Sequence, residues 1–219
     1  YNFEYIREQE RGYDYLEDLL SPGKFTTTLR PGESLYVSCG VEEANPFLLS
    51  RDFVKETRFR FPIESMEDIL RRAARMFFAQ KGTKVDVVAG FPWFGRWGRD
   101  TFISLPGLCM AIGDWRMFRM AIDSELEDFQ NGFFPNIGSG SQSAYNSVDA
   151  PLWFFWCIQQ YAYANNAREQ VWTLYKDVMK QILDTFSEGT NNVRMDSNFL
   201  LWQSQEGAAL TWMDAIIDG

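Results

Sequence analysis

"APLWFFWCIQQYAYA", Ala150–Ala164, carries no charged side chain and is rich in large aromatic rings. Nothing in it breaks a helix beyond its first turn, where proline is tolerated because the amide there has no intrahelical partner. A helix that is apolar all round must be buried by other elements. Its strongly apolar part, residues 150–158, is far too short to cross a bilayer. The stretch therefore reads as an internal helix of a water-soluble fold. A second stretch of the same kind, "TFISLPGLCMAIG" at 101–113, is equally free of charge.

The neighbours of these two stretches have a different pattern. Residues 66–80, 115–130 and 168–187 are amphipathic, each with an apolar stripe and a charged face. Ser65 and Asp114 stand where N-caps are favoured, and Gly189 stands where a helix ends. Along the chain the helices alternate outer, inner, outer, inner, outer. The links from inner to outer helices are tight, at Gly113-Asp114 and Asn165-Asn166-Ala167. Those from outer to inner are long, at 81–99, 131–148 and 189–213. Antiparallel hairpins place all long links at one end. This predicts an all-α catalytic part: an incomplete (α/α)6 toroid of alternating inner and outer helices, over residues 61–219. The first 60 residues differ. Residues 25–30 and 34–38 read as strands joined across Pro31-Gly32-Glu33, 13–20 as a short helix, and 45–62 as a connector. Residues 1–60 are expected to be the end of a β-sandwich domain and its linker.

Composition narrows the chemistry. A net charge of −9 over 219 residues excludes the basic footprint of a nucleic-acid binder and an anionic-membrane binder. Histidine is absent, which removes Ser-His-Asp, Cys-His and His-ligated metal sites. Cys39, Cys109 and Cys157 are widely spaced and share no C-x-x-C unit, so they read as reduced cysteines in a cytoplasmic setting. Acid–base work must fall mainly to Asp and Glu. Eight tryptophans and 16% aromatic residues supply flat surfaces against which the apolar faces of sugar rings pack. If carboxyl groups and aromatic faces serve glycoside hydrolysis here, no metal or organic cofactor is expected, because that chemistry needs only carboxyl groups and water.

Three aspartates, Asp100, Asp149 and Asp214, each follow a long link and open an inner helix, in the contexts RDTF, VDAP and MDAI. Each lies close in sequence to an aromatic side chain: Trp93 and Trp97, Tyr145, and Trp212. Each is a carboxylate at one end of the toroid or an N-cap, a position where aspartate is favoured in any case. The glycine-rich "AGFPWFGRWGRDT", 89–101, is too loose for a core element, and its tryptophans fit the floor of a sugar pocket.

The strings "AGFPWFGRWGRDTFISLPGL", "FFPNIGSG", "YNSVDAPLWFFWCIQ" and "LTWMDA" resemble, in the same order, signature segments of glycogen debranching enzymes of the amylo-α-1,6-glucosidase type. "YIREQERGYDYLEDLLSPG" is similar to the end of the β-sandwich that precedes the catalytic domain in bacterial and archaeal members. The resemblance implies an inverting glycosidase that cleaves α-1,6 branch points of glycogen-type dextrins and releases glucose. By the same resemblance Asp214 is the proton donor, and Arg99 and Asp100 hold hydroxyls of the terminal glucose. Trp93 and Trp97 are then its stacking walls, Asn136, Tyr145, Asn146 and Trp212 line the pocket, and Asp149 binds or orients, or caps its helix. The catalytic base of the family is a downstream glutamate that no residue here matches, Glu206 included. The chain is therefore expected to be a fragment or a truncated product, with an exposed apolar flank through which it self-associates. Two other readings stay open: another α/α-barrel glucosidase, related to glucoamylase or trehalase, and a non-catalytic glycan-binding remnant. The partner in every case is a branched α-glucan or oligosaccharide, with no nucleic acid and no membrane.

Overall fold

In the computed structural model the uncharged stretch is a single helix, α6 (Ala150–Ala164), packed on α4 (Gly98–Leu105). The structure describes residues 2–60, 65–91, 94–138, 143–206 and 209–213. It divides into two units, Tyr1–Phe61 and Pro62–Gly219. Helix is the dominant regular structure, with seven α-helices among the described residues.

The first unit contains a two-stranded antiparallel pair, β1 (Asn2–Glu4) with β2 (Leu16–Asp18), closed by the short helix α1 (Ile6–Glu10). The helix expected at 13–20 is thus replaced by a strand, one residue of which accepts the Tyr5 hydroxyl at Glu17, 2.6 Å away. Nor do the expected strands at 25–30 and 34–38 form. Only their turn does, with the Glu33 amide donating to the Arg30 carbonyl at 3.0 Å. Phe25 and Val37 are exposed, and an isolated hairpin with no apolar face to bury is not stable. The expected connector at 45–62 is instead α2 (Leu49–Arg60), entered through a turn capped by Asn45. Phe53 of α2 meets the ring of Tyr36 at 5.4 Å.

The second unit begins with α3 (Met66–Met76), capped reciprocally by Ser65 and Asp68. It stops earlier than its amphipathic pattern suggests, because residues 78–81 leave as a strand. The link at 81–99 is not an open loop. It belongs to a three-stranded antiparallel sheet of β3 (Phe78–Lys81), β4 (Lys84–Gly90) and β5 (Phe94–Arg96), in the order β3-β4-β5. Val85 and Val87 of β4 alternate inward, and the Val85 amide donates to Ser124 Oγ of α5 (Trp115–Glu127) at 2.8 Å. Helix α4 runs on into a π-helical segment, Pro106–Met110, at the point where proline withholds an amide from the α-helical ladder. Asp114 caps α5 through the Met117 amide, as its position in the sequence indicates. Helix α7 (Arg168–Glu188) ends at Gly189, whose φ of 82° only glycine adopts without strain. The link that follows contains the hairpin β6 (Val193–Met195) and β7 (Leu201–Gln203).

One aromatic cluster joins α4, α6 and the 131–148 link. Phe102 of α4, Phe134 of the 131–148 link and Phe154 of α6 meet pairwise at ring separations of 4.8, 5.5 and 5.1 Å. All three are fully buried, and each such ring contributes about 2–3 kcal/mol by leaving water. Phe118 and Tyr161 stack beside them. Cys109 and Cys157 also lie in this core, where burial pushes the Cys109 thiol up to about 12; Cys39 is exposed. Helix α6 is covered on one side. Leu152, Trp156 and Tyr163 remain exposed, and the last two, with Trp172 of α7, border an apolar groove. None of the described helices is long and apolar enough to cross a membrane.

A polar cluster sits under the same region. The Arg96 guanidinium is buried and faces three carboxylates: Asp128 at 2.5 Å, Asp86 at 3.5 Å and Glu125 at 3.7 Å. Glu125 is 1% exposed. Burial pushes its carboxyl up to about 7, against the opposing pull of Arg96.

Two outcomes follow from this packing. A Cβ at Gly98 would stand 2.3 Å from the Pro135 carbonyl oxygen; Gly98→Ala is expected to lower stability by about 3 kcal/mol, as a clash with backbone rather than with a flexible side chain, read as a fall in the thermal midpoint. Glu125 holds its proton in the folded chain to about pH 7, whereas the unfolded chain releases it near its ordinary 4.5. Its contribution to stability is therefore lost as pH rises between these values, by roughly 3 kcal/mol, with no further loss above them. Glu125→Gln is expected to flatten that slope in denaturant melts taken across the window.

Candidate functional site

The "GRWGRD" segment leaves β5 and enters α4 through Trp97, the N-cap residue. This junction is bonded sideways to the "FFPNIG" segment. Trp97 and Ile137 form an antiparallel bridge, the Gly98 amide donates to the Asn136 carbonyl at 3.2 Å, and the Gly138 amide donates to the Arg96 carbonyl at 3.3 Å. The "FFPNIG" backbone is in turn bonded to the stretch before "YNS". The Asn136 amide donates to the Ala144 carbonyl at 2.6 Å, and the Ala144 amide to the Ile137 carbonyl at 3.1 Å. Further on, the Val148 amide donates to the Leu210 carbonyl at 2.7 Å, which ties "VDAP" to the start of "LTWMDA". Three segments far apart in sequence thus become neighbours of the two helix starts.

Among their side chains, Arg99 and Asp149 form the central pair. Arg99 Nη1 lies 3.2 Å from both carboxylate oxygens of Asp149. The Ser147 hydroxyl donates to Asp149 Oδ1 at 2.6 Å and accepts from the Ala150 amide at 3.3 Å. Asp149 stands at the N-cap position of α6 but makes no capping bond there. Of the two readings of Asp149, the structure sets capping aside: Ser147 serves the helix end, and the carboxylate is turned to Arg99. Both members of the pair keep a small exposed fraction, 13% and 14% of their side chains. Charge-assisted bonds of this kind are the ones that recognise hydroxyl groups firmly.

The other expected residues are distributed around this pair. Tyr145 donates its hydroxyl to the Asp128 carbonyl at 2.6 Å. Asn136 and Asn146 each have a buried side-chain oxygen without a hydrogen-bond partner among the described residues, a costly arrangement. Trp97 is half-buried and meets Phe94 edge to face at 6.3 Å. Trp212 is exposed, two residues beyond the Val148–Leu210 bond. Asp100 is not drawn into the cluster. It occupies the first turn of α4 and lines a separate hollow with Phe77, Val88, Ile103 and Leu108. Trp93 and Asp214 lie outside the described residues. Glu206 is exposed. Among the described residues no group of three acidic or cysteine side chains is placed to hold a metal ion.

Sequence reasoning missed Arg96, Glu125, Asp128 and Ser147. For Glu125 a signal existed: it falls at helical spacing from the buried Phe118 and Ile122, on the apolar face, where a carboxylate needs a partner. For Ser147 the signal was its place three residues before the Ala150 amide, the ordinary reach of a serine cap.

Comparison with known proteins gives the chain a family. A family model described as "Glycogen debranching enzyme N terminal" matches residues 1–36. The glycogen debranching enzyme of Saccharomyces cerevisiae is 28% identical over 142 residues, covering 59% of this chain and 9% of that protein. The chain therefore spans less than a tenth of the length of this relative. No solved structure matches. A second family model, described as "Amylo-alpha-1,6-glucosidase", matches residues 50–219; with the greater part of its length inside that match, the chain belongs to the amylo-α-1,6-glucosidase family.

Proposed function

We propose that this chain supplies the glucose-binding wall and the proton donor of a glycosidase that cleaves α-1,6 branch points of glycogen-type dextrins with inversion. The supporting observation is the mutual bonding of the segments around the Arg99–Asp149 pair. A sugar-binding wall needs donors and acceptors held at fixed spacing beside aromatic faces, and these segments supply both. The yeast relative is a debranching enzyme by name. In this reading the helices are part of an (α/α)6 toroid, residues 1–60 close a β-sandwich domain, and the exposed flank of α6 and α7 is where further protein packs.

Arg99 and Asp149 hold hydroxyls of the terminal glucose, the guanidinium donating and the carboxylate accepting. Trp93, Trp97 and Trp212 form apolar walls, and the amides of Asn136 and Asn146 complete the polar lining. Asp214 protonates the leaving glycosidic oxygen. Inversion requires a second carboxylate, about 6.5–9.5 Å away, to activate water on the opposite face of the ring; nothing in this chain identifies it. Asp214 must stay protonated near neutrality. The start of a helix favours the anion, so burial or a neighbouring carboxylate has to dominate.

Titration calorimetry and a glucose-release assay with branched limit dextrin, maltose and trehalose test the reading. Binding and release with the branched substrate are expected to exceed those with the other two. Equal or better use of maltose or trehalose selects a glucoamylase- or trehalase-like activity, and binding without release under any condition selects a glycan-binding role. Asp214→Asn is expected to abolish glucose release while dextrin still binds; full activity in that variant removes Asp214 from the mechanism. Arg99→Ala and Asp149→Ala are expected to weaken dextrin binding by about tenfold or more, the value of one charge-assisted bond, and Asp100→Ala by less. The reverse order in the calorimetry would transfer the central role to Asp100.

A further inference from the structure

Arg96 stands three residues before Arg99, on the last position of β5, and its side chain is 4% exposed. Four hydrogen bonds leave this one guanidinium for four different places. Nη2 donates to Asp128 Oδ2 at 2.5 Å and to the Gly138 carbonyl at 3.0 Å, and Nη1 donates to the Ser124 carbonyl at 3.2 Å and to Asp86 Oδ1 at 3.5 Å. Gly138 is gripped twice, since its own amide donates to the Arg96 carbonyl. The far limb of the same loop is held indirectly. The Tyr145 hydroxyl donates to the backbone carbonyl of Asp128, whose carboxylate Arg96 anchors. Both limbs of the loop that carries Asn136 and Tyr145 therefore converge on one side chain that has no opening to a ligand. The planar fork of arginine suits this task, and lysine, with donors at a single point, cannot reproduce it.

We propose that Arg96 is the positioning residue of the candidate sugar site: it touches no substrate, and by clamping Gly138 and Asp128 it sets where Asn136 and Tyr145 stand beside the turn that carries Arg99. What the loop binds rests on the reading under Proposed function; that Arg96 clamps it does not. The clamp is sensitive to charge. Glu125 of α5 faces Arg96 on β5, Asp86 on β4 and Asp128 at the end of α5. When Glu125 is protonated, Arg96 serves Asp128 and Asp86 alone. Ionisation of Glu125 adds a third carboxylate around the single guanidinium, which repels Asp128 and competes for its partner. The clamp loosens as pH rises through the titration of Glu125.

The test combines amide exchange with dextrin calorimetry on wild type, Arg96→Lys and Glu125→Gln. In Arg96→Lys, exchange at Asn136, Gly138 and Ala144 is expected to speed up about tenfold and dextrin binding to weaken by a similar factor, the loss of one charge-assisted bond. Exchange at Phe154 and Ile158 of α6 should not change. Wild-type affinity is expected to fall from about pH 6 to about pH 8, and Glu125→Gln to remove that dependence. Unchanged exchange in the loop, equal acceleration in α6, or the same pH dependence in Glu125→Gln would each overturn the assignment. If Arg96→Lys does not fold, Asp128→Asn, which keeps the backbone carbonyl that Tyr145 uses, is expected to show the same selective loss. A wild type that binds no dextrin overturns the sugar-site reading. A wild type that binds beside an Arg96→Lys variant that binds equally well overturns only the role of Arg96.

Discussion

The junction between β5 and α4 carries the constraint on which the candidate site depends. Its backbone is bonded laterally to Asn136–Gly138, and the approach is so close that position 98 has no room for a methyl group. Strand, helix start and loop therefore cannot shift independently. Arg99 leaves this junction one residue after the glycine, so its direction follows from the bonds made by its neighbours. Precision of this order is what separates a binding site from a merely polar surface.

Two kinds of matter hold the junction from below. On one side is the apolar cluster of Phe102, Phe134 and Phe154, which supplies the bulk of the burial energy but little directional information. On the other side is the Arg96 cluster, which is directional and costly to assemble, since Glu125, Asp128 and the guanidinium leave water together beside the part-exposed Asp86. Glu125 shows the tension, since its burial works against the ionisation that Arg96 favours.

Much of this architecture was legible in the residues. The uncharged stretch at 150–164 became a core helix with the same bounds, Ser65 and Asp114 cap helices through their side chains, and Gly189 ends one through its positive φ. What escaped had physical reasons. The strands β3, β4 and β5 lie where glycine, lysine and tryptophan interrupt any long apolar period, so residues 81–99 resembled a loop; their pairing is set by α5 packing on Val85 and Val87. In the first unit, short segments with similar β-preference were separated only by what they pair with, and 16–18 found a partner in 2–4 whereas 25–30 and 34–38 found none. For the site, the motifs indicated Arg99 and Asp149, but not that these two would face each other. Arg96 escaped because a buried arginine and an exposed one look alike in a sequence until the carboxylates around it are located.

The division of labour between Ser147 and Asp149 has a dynamic consequence. The amide at the start of α6 is satisfied by the Ser147 hydroxyl, and the Asp149 carboxylate touches the helix end only by accepting a hydrogen bond from that hydroxyl. Asp149 can turn away from Arg99, and back, without a main-chain bond being broken. Movement of this carboxylate is then a matter of side-chain rotation, on the nanosecond scale of rotamers and not that of helix fraying.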